Sequence, residues 1–339
     1  LVILYFASTS RLNKVNDSGI EREPRRYIAR EAVFTAFPII IGVAVFSITN
    51  LIDTVMVNTM LTSLGWHTEE VREAFGQLSG KFMPLTTLPV AVATAIATAA
   101  IPSIAGSIAQ GDTGAANVKI NKAVRITMVV SIPAAVGIGV LGDQILLLLF
   151  PAFPGGGLLL RVGAVSIIFM AMSQIATGML QGCGYMKIPV YAALTGAAVK
   201  IVLNLLLLPI PAVNVTGSVI STTVCYVVTA GINMYMLMRI MGPGARLDVR
   251  AVFVKPLAAS AVMAPVCLLV YHGLFAAARN TAGLLWANAV ACVLAVLAGA
   301  LAYFVCMAAI RGIDEQDIRT LPMGARISGL IGKFRRNRA

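Results

Sequence analysis

The segment KIPVYAALTGAAVKIVLNLLLLPIP, residues 187–211, decides the fold. It is predominantly apolar over about 20 residues, the length with which a helix crosses a bilayer. It ends at Pro209-Ile210-Pro211, which a helix does not continue through. One charged residue, Lys200, lies inside the apolar run. The segment therefore predicts a membrane-spanning helix that carries a charge away from its ends.

Apolar segments of similar length recur along the chain. The sequence is 58% hydrophobic and 12% charged, with a mean hydropathy of +0.88, whereas soluble domains are roughly 45–50% apolar and about 25% charged. The segments are continuous and lack the alternation of a transmembrane β-barrel. The sequence thus predicts an all-α, polytopic membrane protein with about eight transmembrane helices, at residues 32–57, 75–108, 123–149, 157–180, 188–210, 213–238, 252–275 and 282–310.

The second predicted span, 75–108, is too long for one straight pass at a rise of about 1.5 Å per residue. It contains Pro84, Pro89 and Pro102. Because proline interrupts the helical hydrogen-bond ladder, these residues predict bends in this span.

The net charge of +12 and the pI near 9.8 raise the question of a nucleic-acid partner. The positive charge, however, lies in the loops between the predicted spans. One set of alternate loops and tails holds 21 Lys and Arg residues, and the opposite set holds only Arg72, Arg161 and Arg279. The positive-inside rule then places segment 11–31 and the tail 311–339 in the cytoplasm, which agrees with eight spans between them. We expect a bilayer and no nucleic acid as the partner of this charge.

Signals for catalysis, cofactors or metals are weak. The five cysteines lie in or beside apolar segments without metal-ligand spacing, and His67 lies in a short loop beside three glutamates. The sequence has no glycine-rich phosphate-binding loop. We therefore expect a protein that is not an enzyme, holds no cofactor or metal, and takes its energy from a gradient or the membrane potential.

Three charged residues stand out within the predicted spans, and charges in a bilayer usually face a partner or a cavity. Asp53 and Lys81 lie at similar depth in the first two spans, and Lys200 lies past the middle of a later one, with Asn50 and Asn204 as polar neighbours. The functional interpretation is a hydrated cavity whose lysines bind an anionic group such as a lipid diphosphate, with Asp53 as counter-charge or cation site. The alternative is a structural Asp53–Lys81 pair and a lysine that extends to the headgroups.

The chain begins with an apolar stretch, Leu1–Ala7, that is too short to span a bilayer. We interpret residues 1–10 as the tail of a preceding transmembrane helix, so the sequence predicts an N-terminally truncated chain.

Three stretches together resemble one family of transporters. They are FPIIIGVAVFSITNLIDTVMV (37–57), FGQLSGKFMPLTTLPVAVATAIATAAIPSIAGSIAQGD (75–112) and GMLQGCGYMKIPVYAALTGAAVKIVLNLLLLPIPAVNVTGSVISTTVCY (178–226). Their order resembles the stage V sporulation protein B family of polysaccharide-biosynthesis transporters, relatives of the peptidoglycan lipid II flippase and, more distantly, of MATE drug exporters. The resemblance covers about residues 25–240.

The resemblance implies two six-helix lobes around a central cavity, followed by two additional helices. This chain would supply the second lobe, and the first, N-terminal lobe of the same protein would be missing. In lipid II flippases a cationic cavity receives the diphosphate, and only Lys81 and Lys200 match that pattern here. The implied organisation is an inter-lobe linker at 11–31, a six-helix C-lobe at 32–240, two additional helices at 241–310 and a basic cytoplasmic tail at 311–339.

The leading hypothesis is a flippase of the cell membrane that moves an undecaprenyl-diphosphate-linked cell-wall or polysaccharide precursor outward by alternating access. One alternative is a cation-coupled multidrug exporter of the MATE type, which Asp53 favours slightly. A second is a membrane-embedded glycosyltransferase or polymerase, although such an enzyme would carry acidic or histidine-rich catalytic residues in a sizeable outer loop.

The sequence makes Lys200 the first residue to test. If its ammonium binds an anionic substrate, Lys200→Ala abolishes transport while the amount of protein in the membrane stays unchanged. Transport measured beside a membrane immunoblot checks this, and wild-type transport by the variant would remove Lys200 from the site.

Overall fold

The computed structural model describes residues 50–242 and 246–310, and within these ranges every regular element is a helix. The first, α1, is helical from residue 50, where the described part starts, to residue 63. The others are α2 Thr68–Gly76, a π-helical turn Gln77–Phe82, α3 Met83–Thr98, α4 Ile101–Ala109, α5 Thr113–Leu149, α6 Gly157–Gly163, α7 Ser166–Gly182, α8 Lys187–Leu207, α9 Asn214–Met241, a second π-helical turn Arg250–Val254, α10 Lys255–Ala282 and α11 Leu284–Ala309.

The described helices match the predicted spans. Six helical runs are long and apolar enough to cross a membrane, and α6 with α7, bent by 51°, forms a seventh. These seven correspond in order to the second through eighth predicted spans. Most of the first predicted span, 32–57, lies outside the described residues, as do segments 1–10, 11–31 and 311–339. The all-α, polytopic membrane class is confirmed.

The second span is interrupted near two of its three prolines. The π-helical turn precedes Pro84. Pro84 itself lies in the first turn of α3, where the missing N–H of proline costs little. Pro89 lies inside α3. A break at Ala99 and Ala100 separates α3 from α4, and Pro102 lies in the first turn of α4.

Helix α5 is the central element of the described fold. Its 37 residues give a length of about 55 Å at 1.5 Å per residue, well beyond the thickness of the hydrocarbon core. The helix deviates from helical geometry at Leu141, where φ is −103° and ψ is 17°. It packs against α3 and α7 on one side and against α10 and α11 on the other.

The α10–α11 hairpin is attached to α5 by hydrogen bonds as well as by apolar packing. The Tyr303 hydroxyl donates to the carbonyl of Val129 at 2.8 Å. The Asn288 amide donates to the carbonyl of Gln144 at 3.1 Å and accepts from Tyr271 at 2.8 Å. Because these polar groups are satisfied across the interface, they fix the hairpin on the surface of α5.

Helices α8 and α9 approach each other closely at a glycine. A Cβ atom added to Gly196 would lie 2.4 Å from the Thr229 hydroxyl and 3.0 Å from the carbonyl oxygen of Cys225. Small residues allow such close backbone contact between membrane helices. Gly196 therefore sets the distance between the two helices on the face of α8 that also carries Lys200.

This contact predicts a position-specific effect of adding a methyl group. Gly196→Ala forces α8 away from α9 and lowers the free energy of unfolding by about 1 to 3 kcal/mol, read as a lower melting temperature in detergent. The matched control is Gly231→Ala on α9, where an added Cβ has no neighbour within 4 Å. Equal melting temperatures for the two variants would contradict the close approach.

Candidate functional site

The centre of the site is an ion pair between Asp53 on α1 and Lys200 on α8. The Lys200 Nζ lies 2.5 Å from Asp53 Oδ2, and the exposed fractions of the two side chains are 2% and 1%. The residues are 147 positions apart in sequence. The fold therefore brings together two charges that the sequence places in different spans.

The spacing of residues on α8 explains why Lys200 faces inward. Ala192, Gly196, Lys200 and Asn204 follow one another at intervals of four residues, and all four are buried. Residues four apart lie on the same face of an α-helix. This face packs against α9, so the close contact at Gly196 carries Lys200 and Asn204 into the interior.

Asp53 accepts two further hydrogen bonds from neutral side chains. The Asn204 Nδ2 donates to Asp53 Oδ1 at 3.1 Å, and the Ser218 hydroxyl on α9 donates to the same oxygen at 3.3 Å. The hydroxyl of Ser221 donates in turn to Asn204 Oδ1. All of these side chains are buried. The carboxylate thus links α1, α8 and α9 through three donors.

The energetics of this pair differ from those of a surface salt bridge. Moving two charges out of water costs several kcal/mol for each ion, and their attraction repays this only with good geometry and further hydrogen bonds. Removing one partner leaves an uncompensated buried charge, at a cost of about 3 to 5 kcal/mol. The structure therefore changes one expectation: we now expect Lys200→Ala to lower the amount of folded protein as well as transport.

A cavity of about 190 Å³ borders the ion pair, and Lys200 forms part of its wall. An ammonium carries three N–H donors, of which Asp53 takes one, so Lys200 can also donate to a group in the cavity. Much of the remaining wall is apolar, and its hydroxyl and amide side chains belong to Asn50, Thr86, Thr87, Gln174, Thr222, Tyr226 and Thr229. The cavity can therefore hold an anionic oxygen beside a cation and several neutral donors.

A larger cavity of about 350 Å³ lies between α5, α10 and α11. Its wall consists almost entirely of aliphatic and aromatic side chains, with Arg125 as its charged member. This lining suits hydrocarbon, whereas recognition of a polar headgroup needs several converging polar groups. The smaller cavity is accordingly the better candidate for specific binding.

The predicted pairing of Asp53 with Lys81 is wrong, because Asp53 pairs with Lys200. The Lys81 ammonium donates instead to the carbonyl oxygens of Phe153 and Gly155, at 2.5 and 2.8 Å. It also lies 5.6 Å from the centre of the Phe150 ring. Lys81 thereby fastens the loop between α5 and α6 to the π-helical turn, and it does not line the 190 Å³ cavity.

The other predicted site residues lie near the ion pair. Asn204 is fully buried and bonded to Asp53. Asn50 is exposed at the start of the described part of α1 and lines the cavity. The structure thus brings Asp53, Lys200, Asn204 and Asn50 together.

The residues that α9 contributes to the site were not predicted from the sequence. Ser218 and Ser221 belong to the hydrogen-bond network, and Thr222 lines the cavity. The available signal was a run of hydroxyl residues in an apolar span, at positions 218, 221, 222 and 223, since such residues often bond between membrane helices. Within the described ranges, no three side chains of His, Cys, Asp or Glu gather as metal ligands.

Comparisons with known proteins assign this chain to a family. The sequence matches the family described as lipid II flippase MurJ over residues 15–280. It is 25% identical over 340 aligned residues to the uncharacterized membrane protein YabM of Bacillus subtilis strain 168, covering 100% of this chain and 61% of the relative. It is 26% identical over 230 residues to the lipid II flippase MurJ of the same organism, covering 66% of this chain and 41% of the relative.

A solved structure shows the same fold. The inward closed conformation of lipid II flippase MurJ aligns with a TM-score of 0.62 and 15% sequence identity, covering 87% of this chain and 57% of the other. The chain thus spans 41% to 61% of the length of these proteins. Because the family match extends over most of the sequence, this membrane protein belongs to the lipid II flippase MurJ family.

Proposed function

We propose that this chain forms the second lobe, with two additional helices, of a transporter that moves an undecaprenyl-diphosphate-linked cell-wall or polysaccharide precursor outward by alternating access. The observation that carries the proposal is that Lys200, paired with the buried Asp53, lies in the wall of the 190 Å³ cavity. Membership of a flippase family supports the transport of a lipid-linked substrate. Assignment to sporulation rests on the sequence resemblance alone.

The cavity chemistry suits a diphosphate. Lys200 donates one N–H to Asp53 and offers the others to a phosphate oxygen, while Thr86, Thr222 and Asn50 add neutral donors. Asn204 acts through Asp53, which it holds in place. Asp53 also limits how strongly the cavity attracts an anion. A transporter needs this balance, because a substrate that binds too tightly is not released.

The cavity wall described here comes from one lobe only. We propose that a preceding six-helix lobe of the same protein supplies the opposite wall, since the relatives are longer than this chain. Lys81 would contact the substrate in a conformation in which the carbonyls of Phe153 and Gly155 release it. Residues 11–31 would then be the linker between the lobes.

The orientation in the membrane follows from charge. The larger set of basic residues, 21 against three in the opposite loops, places segment 11–31 and the tail 311–339 on the cytoplasmic side. The tail contacts anionic headgroups of the cell membrane in this arrangement. Residues 32–240 form the lobe, and 241–310 form the two additional helices.

The alternatives from the sequence have less support. A cation-coupled drug exporter with its ion at Asp53 requires the ion to displace Lys200, which lies 2.5 Å from the carboxylate. For a glycosyltransferase or polymerase that works with a metal ion, the described residues contain no group of three or more His, Cys, Asp or Glu side chains that could hold one.

A neutral replacement of both charges separates binding from folding. Asp53→Asn combined with Lys200→Met removes the ion pair at nearly constant volume, a change that is often neutral for stability. We expect this double variant, expressed from its complete reading frame in a conditional lipid II flippase mutant, to reach wild-type membrane levels and fail to rescue growth. Rescue and a membrane immunoblot are measured together.

The matched control is Lys187→Ala, which removes an exposed lysine from the first turn of the same helix. It should rescue growth as the wild type does. Rescue by the double variant at normal levels would exclude Lys200 from the site. If the wild type is inserted normally and does not rescue, lipid II itself is not the substrate.

A further inference from the structure

We propose that Lys200 is a built-in monovalent cation for Asp53. Its ammonium occupies the position at which a free Na⁺ ion would otherwise neutralise the carboxylate, so the lobe works without sodium at this site. This inference rests on the geometry of the ion pair and is independent of the substrate proposed above.

The electrostatics of a buried carboxylate support this assignment. A carboxylate buried inside a membrane protein needs neutralisation by a proton, a bound cation or a cationic side chain. Asp53 is fully buried. In this structure a cationic side chain neutralises the carboxylate, because the Lys200 Nζ lies 2.5 Å from Asp53 Oδ2. The cation is covalently attached to α8 and does not dissociate into water.

The groups around the ion pair support the same assignment. The remaining neighbours of Asp53 are neutral and rich in oxygen: the Ser218 hydroxyl, 3.3 Å from Oδ1, and the Asn204 amide, 3.1 Å from the same atom. The amide oxygen of Asn204 now accepts from Ser221. A rotation of the amide by 180° would turn that oxygen towards Asp53.

Removal of the ammonium would therefore expose an oxygen site for a small hard cation. The carboxylate, the turned amide and the Ser218 hydroxyl are the ligand types that such cations prefer. Truncation of Lys200 to alanine also vacates the space that an ion needs. The same residues that surround a fixed ammonium in the wild type would then bind a free ion.

The test compares melting temperatures of purified protein in NaCl and in choline chloride at equal ionic strength. The wild type should melt at the same temperature in both salts. Lys200→Ala should melt lower than the wild type in choline chloride and gain about 5 °C in NaCl, with saturation as sodium rises, since a ligand of the native state stabilises it. These measurements need no substrate, so their outcome is separate from that of the growth assay.

Two variants control the assignment to Asp53. Lys200→Arg keeps a cation beside the carboxylate and should be insensitive to sodium. Asp53→Asn combined with Lys200→Ala removes the anion and should also be insensitive.

Sodium stabilisation of the wild type would overturn the proposal, and so would a folded Lys200→Ala variant with equal melting temperatures in the two salts. If that variant does not fold, Lys200→Ser takes its place with the same expected result, because its hydroxyl adds an oxygen ligand.

Discussion

The pairing of Asp53 with Lys200 is the constraint on which the rest of the lobe depends. Neither charge is tolerable alone inside a bilayer, so α1 and α8 must meet at one depth and with one rotation. The bond from Ser218 to Asp53 and the bond from Ser221 to Asn204 then fix α9 against both. Close packing at Gly196 permits this arrangement, because a bulkier residue would hold α8 and α9 apart. The ion pair and its hydrogen bonds therefore depend on the close packing of α8 and α9 at Gly196.

Much of the fold follows from apolar length and from proline, and the remainder depends on tertiary contacts. The prolines of the second span predicted interruptions, and these lie before Pro84 and before Pro102, whereas Pro89 lies within α3. The bend between α6 and α7 has no proline. It lies beside Gly163, where an added Cβ would meet the Phe82 ring at 2.1 Å, so packing against another helix accompanies it. Such a contact joins positions 81 residues apart, and local sequence carries no sign of it.

The candidate site was predictable as a set of residues and not as a set of contacts. Depth along the spans identified Asp53, Lys200 and Asn204, because a rise of about 1.5 Å per residue converts sequence position into height. The depth of a residue in its span does not show which way its side chain faces, because that depends on the rotation of the helix about its own axis. Lys81 has a height similar to that of Asp53, yet it lies in the π-helical turn and bonds to the carbonyls of Phe153 and Gly155. A π-helical turn shifts the faces of the residues around it, and the sequence did not predict one here.

The neutrality of the pair bears on how a membrane potential acts on this lobe. Moving one elementary charge across the field is worth about 2.3 kcal/mol per 100 mV. Asp53 and Lys200 carry no net charge together, so a movement of the lobe that keeps them paired gains or loses little of this energy. Under the proposed function, the substrate brings the charge of its diphosphate into the field, and the pair adds none. A potential that is negative inside favours the outward movement of an anionic diphosphate, and the chain has no phosphate-binding loop with which to use ATP. The buried pair thus places a cation beside the proposed substrate without adding net charge of its own for the potential to act on.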